Sequence, residues 1–272
     1  MALKPKRKLY SPSGKAIALP PIHPNVGITV GYRQKLDRLI SAMQRSIVYW
    51  LRAQYRANKP LLAADASPAS ALIASMRNLS TRWLRRFAEG AQRLGDYFAT
   101  TVSKRSDAAL KTILKDAGFS VQFRMTRPMN DVMQATIGAQ VELIKSIASE
   151  HLSEVQGLVM RSVQQGRALA ELTNDLETRY GITRRRAALI ARDQNNKATA
   201  AMTRVRYEEL GLTEAIWMHS GGGKEPRPTH VANSGKVYNV SEGWFDPAVN
   251  ERIWPGTLIN CRCVARPILP VA

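Results

Sequence analysis

Both cysteines of this 272-residue chain stand one residue apart, Cys261 and Cys263 in the run "LINCRC". Three chemistries compete for such a pair: a redox dithiol, half of a metal site, or two small apolar side chains sharing one face of a strand. A disulfide closed within Cys-x-Cys is strained by its short span. Two cysteines in a chain of this length also suit a reducing compartment rather than a disulfide-stapled secreted fold. If the run is extended, Ile259, Cys261, Cys263 and Ala265 face inward while Asn260, Arg262 and Arg266 face out, the pattern of an ordinary core strand. A tetrahedral zinc ion needs two further ligands, and His219 and His230 are the only histidines in the same stretch of chain. Their spacing matches no standard zinc finger, so the residues by themselves leave core and metal open.

Other chemistry is thinner. "SGGGKEPRP", Ser220 to Pro228, invites a phosphate-loop reading, but that motif needs a glycine where Met218 stands and a Ser or Thr where Glu225 stands. A nuclease could use His230 as general base with Lys224, Glu225 or Arg227 beside it. No paired carboxylates or second histidine at fixed spacing accompany it. An ADP-ribosyltransferase reading fails on the absence of a Glu-x-Glu pair in the tail.

The chain carries 40 Lys and Arg against 21 Asp and Glu, a formal charge of +19. Such an excess costs self-repulsion unless a polyanion neutralises it, so nucleic acid, an acidic protein or an anionic surface is the expected neighbour. The basic amino terminus is not followed by an apolar run of signal-peptide length. The uncharged stretch from Ala16 to Tyr32 is broken by Pro20, Pro21 and Pro24 and is too short to span a bilayer. The expectation is a soluble protein made in the cytoplasm, with no membrane partner.

The elements that must position these residues are mostly helical. Residues 1–31, with "KPKRK" and "LPPIHPN", have turn and polyproline chemistry and read as an extended basic arm. Residues 32–129 read as a helical body. Leu36, Ile40, Met43, Ile47 and Leu51 mark a helix from Tyr32 to Ala57. A second begins after Pro68, with Leu72, Met76, Leu79, Trp83 and Phe87 on one face and Arg77, Arg82, Arg85, Arg86 and Arg93 on the other. A third, shorter one holds Leu110, Ile113 and Leu114 and ends at Gly118. "FSVQFRM", Phe119 to Met125, alternates with period two and reads as a short strand or an extended connector. Residues 130–211 open with the longest periodic run, from Asn130 as N-cap to Gly166, about 54 Å of helix at 1.5 Å per residue. A short helix from Ala168 to Tyr180 and another, capped by Thr183 and stopped by Gly211, follow. Residues 212–272 change character: "AIWMH", "KVYNV" and "INCRCVARPIL" read as short strands around Trp217, Val237, Tyr238, Trp254, Ile259, Cys261 and Cys263. The fold class is α+β, predominantly helical with long helices and a small C-terminal α+β module.

The series "VELIKSI" (141–147), "ARDQNNK" (191–197), "IWMHS" (216–220), "RPTHVANSGKVY" (227–238) and "INCRC" (259–263) resembles the Mu F-like phage head morphogenesis family, the minor capsid proteins of tailed bacteriophages. The resemblance runs from about Ala139 to Pro267, and its motif residues are Arg227, His230, Gly235, Asn260, Cys261, Arg262 and Cys263. It implies a virion protein of low copy number inside the head at the portal vertex, assembled in the host cytoplasm. The partners it implies are the portal, capsid or scaffolding protein, with packaged DNA held by non-specific electrostatics; no enzymatic activity is implied. Some relatives carry a further Cys-x-x-Cys, and a His just before Cys-Arg-Cys, which looks like a metal cluster. Here Arg227 stands where such a cysteine could be, and Leu258 precedes Ile259 without a histidine. Zinc on Cys261, Cys263, His230 and His219 is therefore an expectation of the site, not of the fold.

Overall fold

A computed structural model describes residues 4–5, 16–57, 68–164, 169–222 and 225–269. The element order is β1 (Lys4–Pro5), β2 (Ile17–Ala18), α1 (Val26–Ala57), α2 (Pro68–Asp116), β3 (Phe119–Ser120), α3 (Arg127–Gln164) and α4 (Leu169–Glu209). Then come β4 (Glu214–Met218), α5 (Pro228–Ala232), β5 (Val237–Asn239), β6 (Trp244–Asp246), β7 (Glu251–Ile253) and β8 (Val264–Leu269). Most of the basic "KPKRK" cluster lies outside the described residues. No described helix is long and apolar enough to cross a membrane. The helix-rich α+β class expected from periodicity is what the chain adopts.

Several expected boundaries are corrected. α1 starts at Val26, within the stretch read as an arm, because Asn25 caps it: its carbonyl and side-chain oxygen both accept the Ile28 N–H. The second and third expected helices are one, α2, of 49 residues. Thr126, not Asn130, caps α3, its hydroxyl accepting the Met129 N–H at 3.3 Å. The two helices expected across 168–211 are also one, since Thr183 lies inside α4 with its hydroxyl bonded to the Arg179 carbonyl. Only Phe119–Ser120 of the expected strand is paired. Gly118 and Gly211 both sit at positive φ, +89° and +72°, and end their helices as expected.

The chain forms two compact units. One comprises 30–96 and 137–191, four helical segments whose stripes bury Tyr32, Leu36, Ile40, Met43, Met76, Trp83, Phe87, Ile144, Leu152, Leu176 and Ile190. Polar pins tie the segments together: Tyr32 to Gln140, Ser41 to Tyr180, and Gln44 to the Leu176 carbonyl. Arg77, Arg82, Arg85, Arg86 and Arg93 are exposed, as the amphipathic reading of that helix requires.

The other unit comprises 1–29, 97–136 and 192–272. Its sheet has the order β2-β8-β4-β5, with every pairing antiparallel, and β6 and β7 form a separate hairpin. One core gathers Leu19, Ile22, Leu110, Leu114, Tyr207, Leu212, Trp217, Tyr238, Ile253, Cys261, Cys263 and Leu269. Three expected core residues are displaced: Ile259 is 61% and Val237 53% exposed, and Trp254 is only half-buried. Residues 258–263 are a loop, and β8 begins at Val264, so the alternation read there as strand has no strand beneath it.

Candidate metal centre

The period-two pattern of β4 turns Ala215 and Trp217 inward, and Trp217 becomes the wall on which the site is built. Its ring makes edge contacts with His230 at 5.1 Å between centroids, with Trp244 at 5.3 Å and with Tyr238 at 6.0 Å. His230 rides on α5, whose start is fixed by local chemistry. Pro228 pre-sets the first-turn dihedral, and Arg227 before it is extended, as a residue preceding proline must be. The short helix closes at Asn233, and the turn at Gly235 returns its N–H to the Trp217 carbonyl at 2.8 Å. That bond leads the chain into β5 beside β4.

The thiols come from the 258–263 loop, which α4 holds from three positions. Asn260 takes a left-handed conformation, φ 60°, that asparagine tolerates better than most residues. Its N–H donates to the Asp193 carboxylate at 2.7 Å, and its side-chain oxygen accepts from Arg192 at 3.2 Å. Asn196 donates to the Cys261 carbonyl at 3.0 Å. Asp193 is itself buried and paired with Lys197 at 2.9 Å, which offsets the cost of burying its charge. From the other side Arg227 donates to the Ile259 carbonyl at 2.9 Å.

These constraints aim both sulfurs at one ring nitrogen. Cys261 Sγ lies 3.5 Å and Cys263 Sγ 3.6 Å from His230 Nδ1. The three ligand atoms fall within 4.8 Å of one another, and all three residues are buried. On the far side of the ring, Nε2 stands 3.3 Å from Oδ2 of Asp246, a residue with no exposed surface. The other Asp246 oxygen accepts the Ala248 N–H at 3.0 Å. Between the thiols, the Cys263 S–H donates to Cys261. That bond, with help from His230, brings the Cys261 pKa down to about 4 against the effect of burial. The same bond and burial push Cys263 up.

The arrangement fits a zinc ion. Zn–S bonds of about 2.3 Å and Zn–N bonds of about 2.0–2.1 Å at tetrahedral angles imply S···N edges of about 3.6 Å. Two thiolates and an imidazole select a soft or borderline divalent ion. A carboxylate behind the non-ligating nitrogen is the usual device for fixing a metal-bound histidine's tautomer and raising its basicity.

The structure brings together three of the four residues expected to ligate. His219 is half-buried on the same pocket, but its Nδ1 accepts the Gly221 N–H at 3.1 Å and it stands outside the cluster. As a nuclease base His230 is poorly placed: it is 2% exposed, with one nitrogen facing sulfur and the other a carboxylate. Of the remaining motif residues, Gly235 shapes the turn, Arg227 and Asn260 hold the loop, and Arg262 is exposed. Sequence reasoning missed Asp246. It sits on β6 within the same module, but nothing in "GWFDP" distinguishes a buried carboxylate from a turn acid.

Residues 153–266 match the family model described as Phage Mu protein F like protein. An uncharacterized protein of Haemophilus influenzae (strain ATCC 51907 / DSM 11121 / KW20 / Rd) is 26% identical over 266 residues, covering 96% of this chain and 58% of its own length. The chain thus spans a little over half of that relative. No solved structure matches significantly.

Proposed function

We propose, from the match of residues 153–266 to the Phage Mu protein F like family, that this chain is a head morphogenesis protein of a tailed bacteriophage, a minor component of the virion. It sits inside the capsid at the portal vertex, bound in several copies to portal, capsid or scaffolding protein, close to the packaged DNA. Its role is structural rather than catalytic.

One observation supports this reading above the others. Four of the five segments carrying the resemblance, 191–197, 216–220, 227–238 and 259–263, are bonded to one another in a single module. Asp193 and Asn196 hold residues 260 and 261, Gly235 bonds Trp217, Arg227 bonds Ile259, and His230 meets both thiols. These four segments therefore share a common centre. The charge of +19 suits residence beside a packaged genome. Deleting the gene should leave heads that are missing, misassembled or poorly infectious, and mass spectrometry of purified virions should find the chain far below the copy number of the major capsid protein. Normal heads formed without it, together with its absence from virions and assembly intermediates, would refute the proposal.

A further inference from the structure

We propose that His230 Nδ1, Cys261 Sγ and Cys263 Sγ bind one zinc ion whose fourth coordination position is taken by solvent and is open to exchange with a small anion. This does not depend on the virion role. Three observations lead to it.

The first is metric. The two S···N separations, 3.5 and 3.6 Å, match edges of a zinc-centred tetrahedron, set by a loop held by Asp193 and Asn196 and a short helix started at Pro228, with Arg227 tying the two together. The second is the environment. A fully buried Asp246 against Nε2 has no need to exist in an ordinary apolar core, whereas behind a metal-bound histidine it orients the ring. Trp217 and Trp244 shut the ring's flanks.

The third observation concerns the missing corner. Among the described residues the cluster supplies three ligand atoms, and all three residues line a surface pocket shared with His219, Glu225 and the arginines 192, 227 and 262. A site closed by protein ligands would need a fourth donor in the cluster; one with an open position keeps solvent there. Two thiolates and a neutral imidazole cancel the charge of Zn²⁺. The surrounding guanidinium groups therefore favour a small anion at the open corner.

The test uses the full chain. Zinc should be present at about one per chain, and the Co²⁺ derivative should show thiolate-to-cobalt charge transfer with the intense visible bands of four-coordination. Added azide should shift those visible bands. Asp246→Asn should keep the stoichiometry and weaken affinity roughly 10- to 100-fold. His219→Ala should retain both metal and spectrum. Cys261→Ser with Cys263→Ser should lose the metal; because that variant also disturbs the core, the wild-type cobalt spectrum and the Asp246→Asn affinity decide independently. No saturable uptake of Zn²⁺ or Co²⁺ by the wild-type chain, or zinc retained by a folded double-serine variant, would overturn the site. Loss of metal in His219→Ala, or a cobalt spectrum indifferent to azide, would overturn the open corner.

Discussion

His151 is a neutral histidine held deep among helices. Its Nδ1 lies 2.8 Å from the Thr183 hydroxyl, and that hydroxyl already donates to the Arg179 carbonyl, so Nδ1 must carry the proton. Nε2 is left buried without a partner, and protonating it would place a charge beside Arg179 in a dry interior. Burial first and the Arg179 charge second lower the pKa from 6.5 to about 4. The unfolded chain thus takes up a proton between pH 6.5 and 4 that the folded chain refuses. Stability is fully present above pH 6.5, falls as the pH drops toward 4, and levels below it, by roughly 3 kcal/mol in all. Melting curves from pH 7.5 to 4 should show this loss in the parent and a shallower one in His151→Gln; parallel profiles would show that His151 is not responsible. Nothing in the sequence around His151 marks it out from the polar positions of its helix. Its hydroxyl partner is 32 residues away, and no local pattern records that pairing. The thiols were legible as inward-facing for an incorrect reason: period two pointed to a strand, while the actual constraint is a loop fastened by Asp193 and Asn196.

At the level of elements, the apolar stripes were readable and the breaks between them were not. Phe98, Ala99, Val102, Leu110 and Leu114 continue α2 without interruption, so packing along the whole length keeps it helical. In α4, Gly181 and Thr183 resemble a stop and a new cap. The Thr183 hydroxyl instead back-bonds within the helix and meets His151, so tertiary contacts override local preference. A close helix approach is visible at Gly95, where an added Cβ would lie 3.2 Å from the Ile137 carbonyl. Gly95→Val should therefore cost about 2 kcal/mol by overpacking. Gly95→Ala should sit near the parent, because about 1 kcal/mol of helix propensity offsets the tighter contact. Urea unfolding of the two variants measures the difference, and a Val variant as stable as the parent would mean the helices part freely there.

For the molecule as a whole, composition points to a polyanionic neighbour and the motif series resembles the family whose model matches residues 153–266, but neither locates the basic groups in space. The exposed arginines of α2 form a solvated face rather than a base-reading motif. Binding to duplex DNA should accordingly be indifferent to sequence and fall log-linearly with salt, with a slope of roughly −0.9 per phosphate neutralised. Titrations at several salt concentrations on two unrelated duplexes check this, and a sequence preference that persists at high salt would contradict it. The sheet order β2-β8-β4-β5 also sets a timetable. Ile17 pairs with Leu269, so the strand between β2 and β4 is the last of the sheet to be synthesised. At about 5–20 residues per second, β2 waits roughly 13 to 50 s on the ribosome before its neighbour exists. The loop bearing both thiols emerges only just before that strand. Until then β2 and β4 each present an unpaired edge in need of protection from premature pairing.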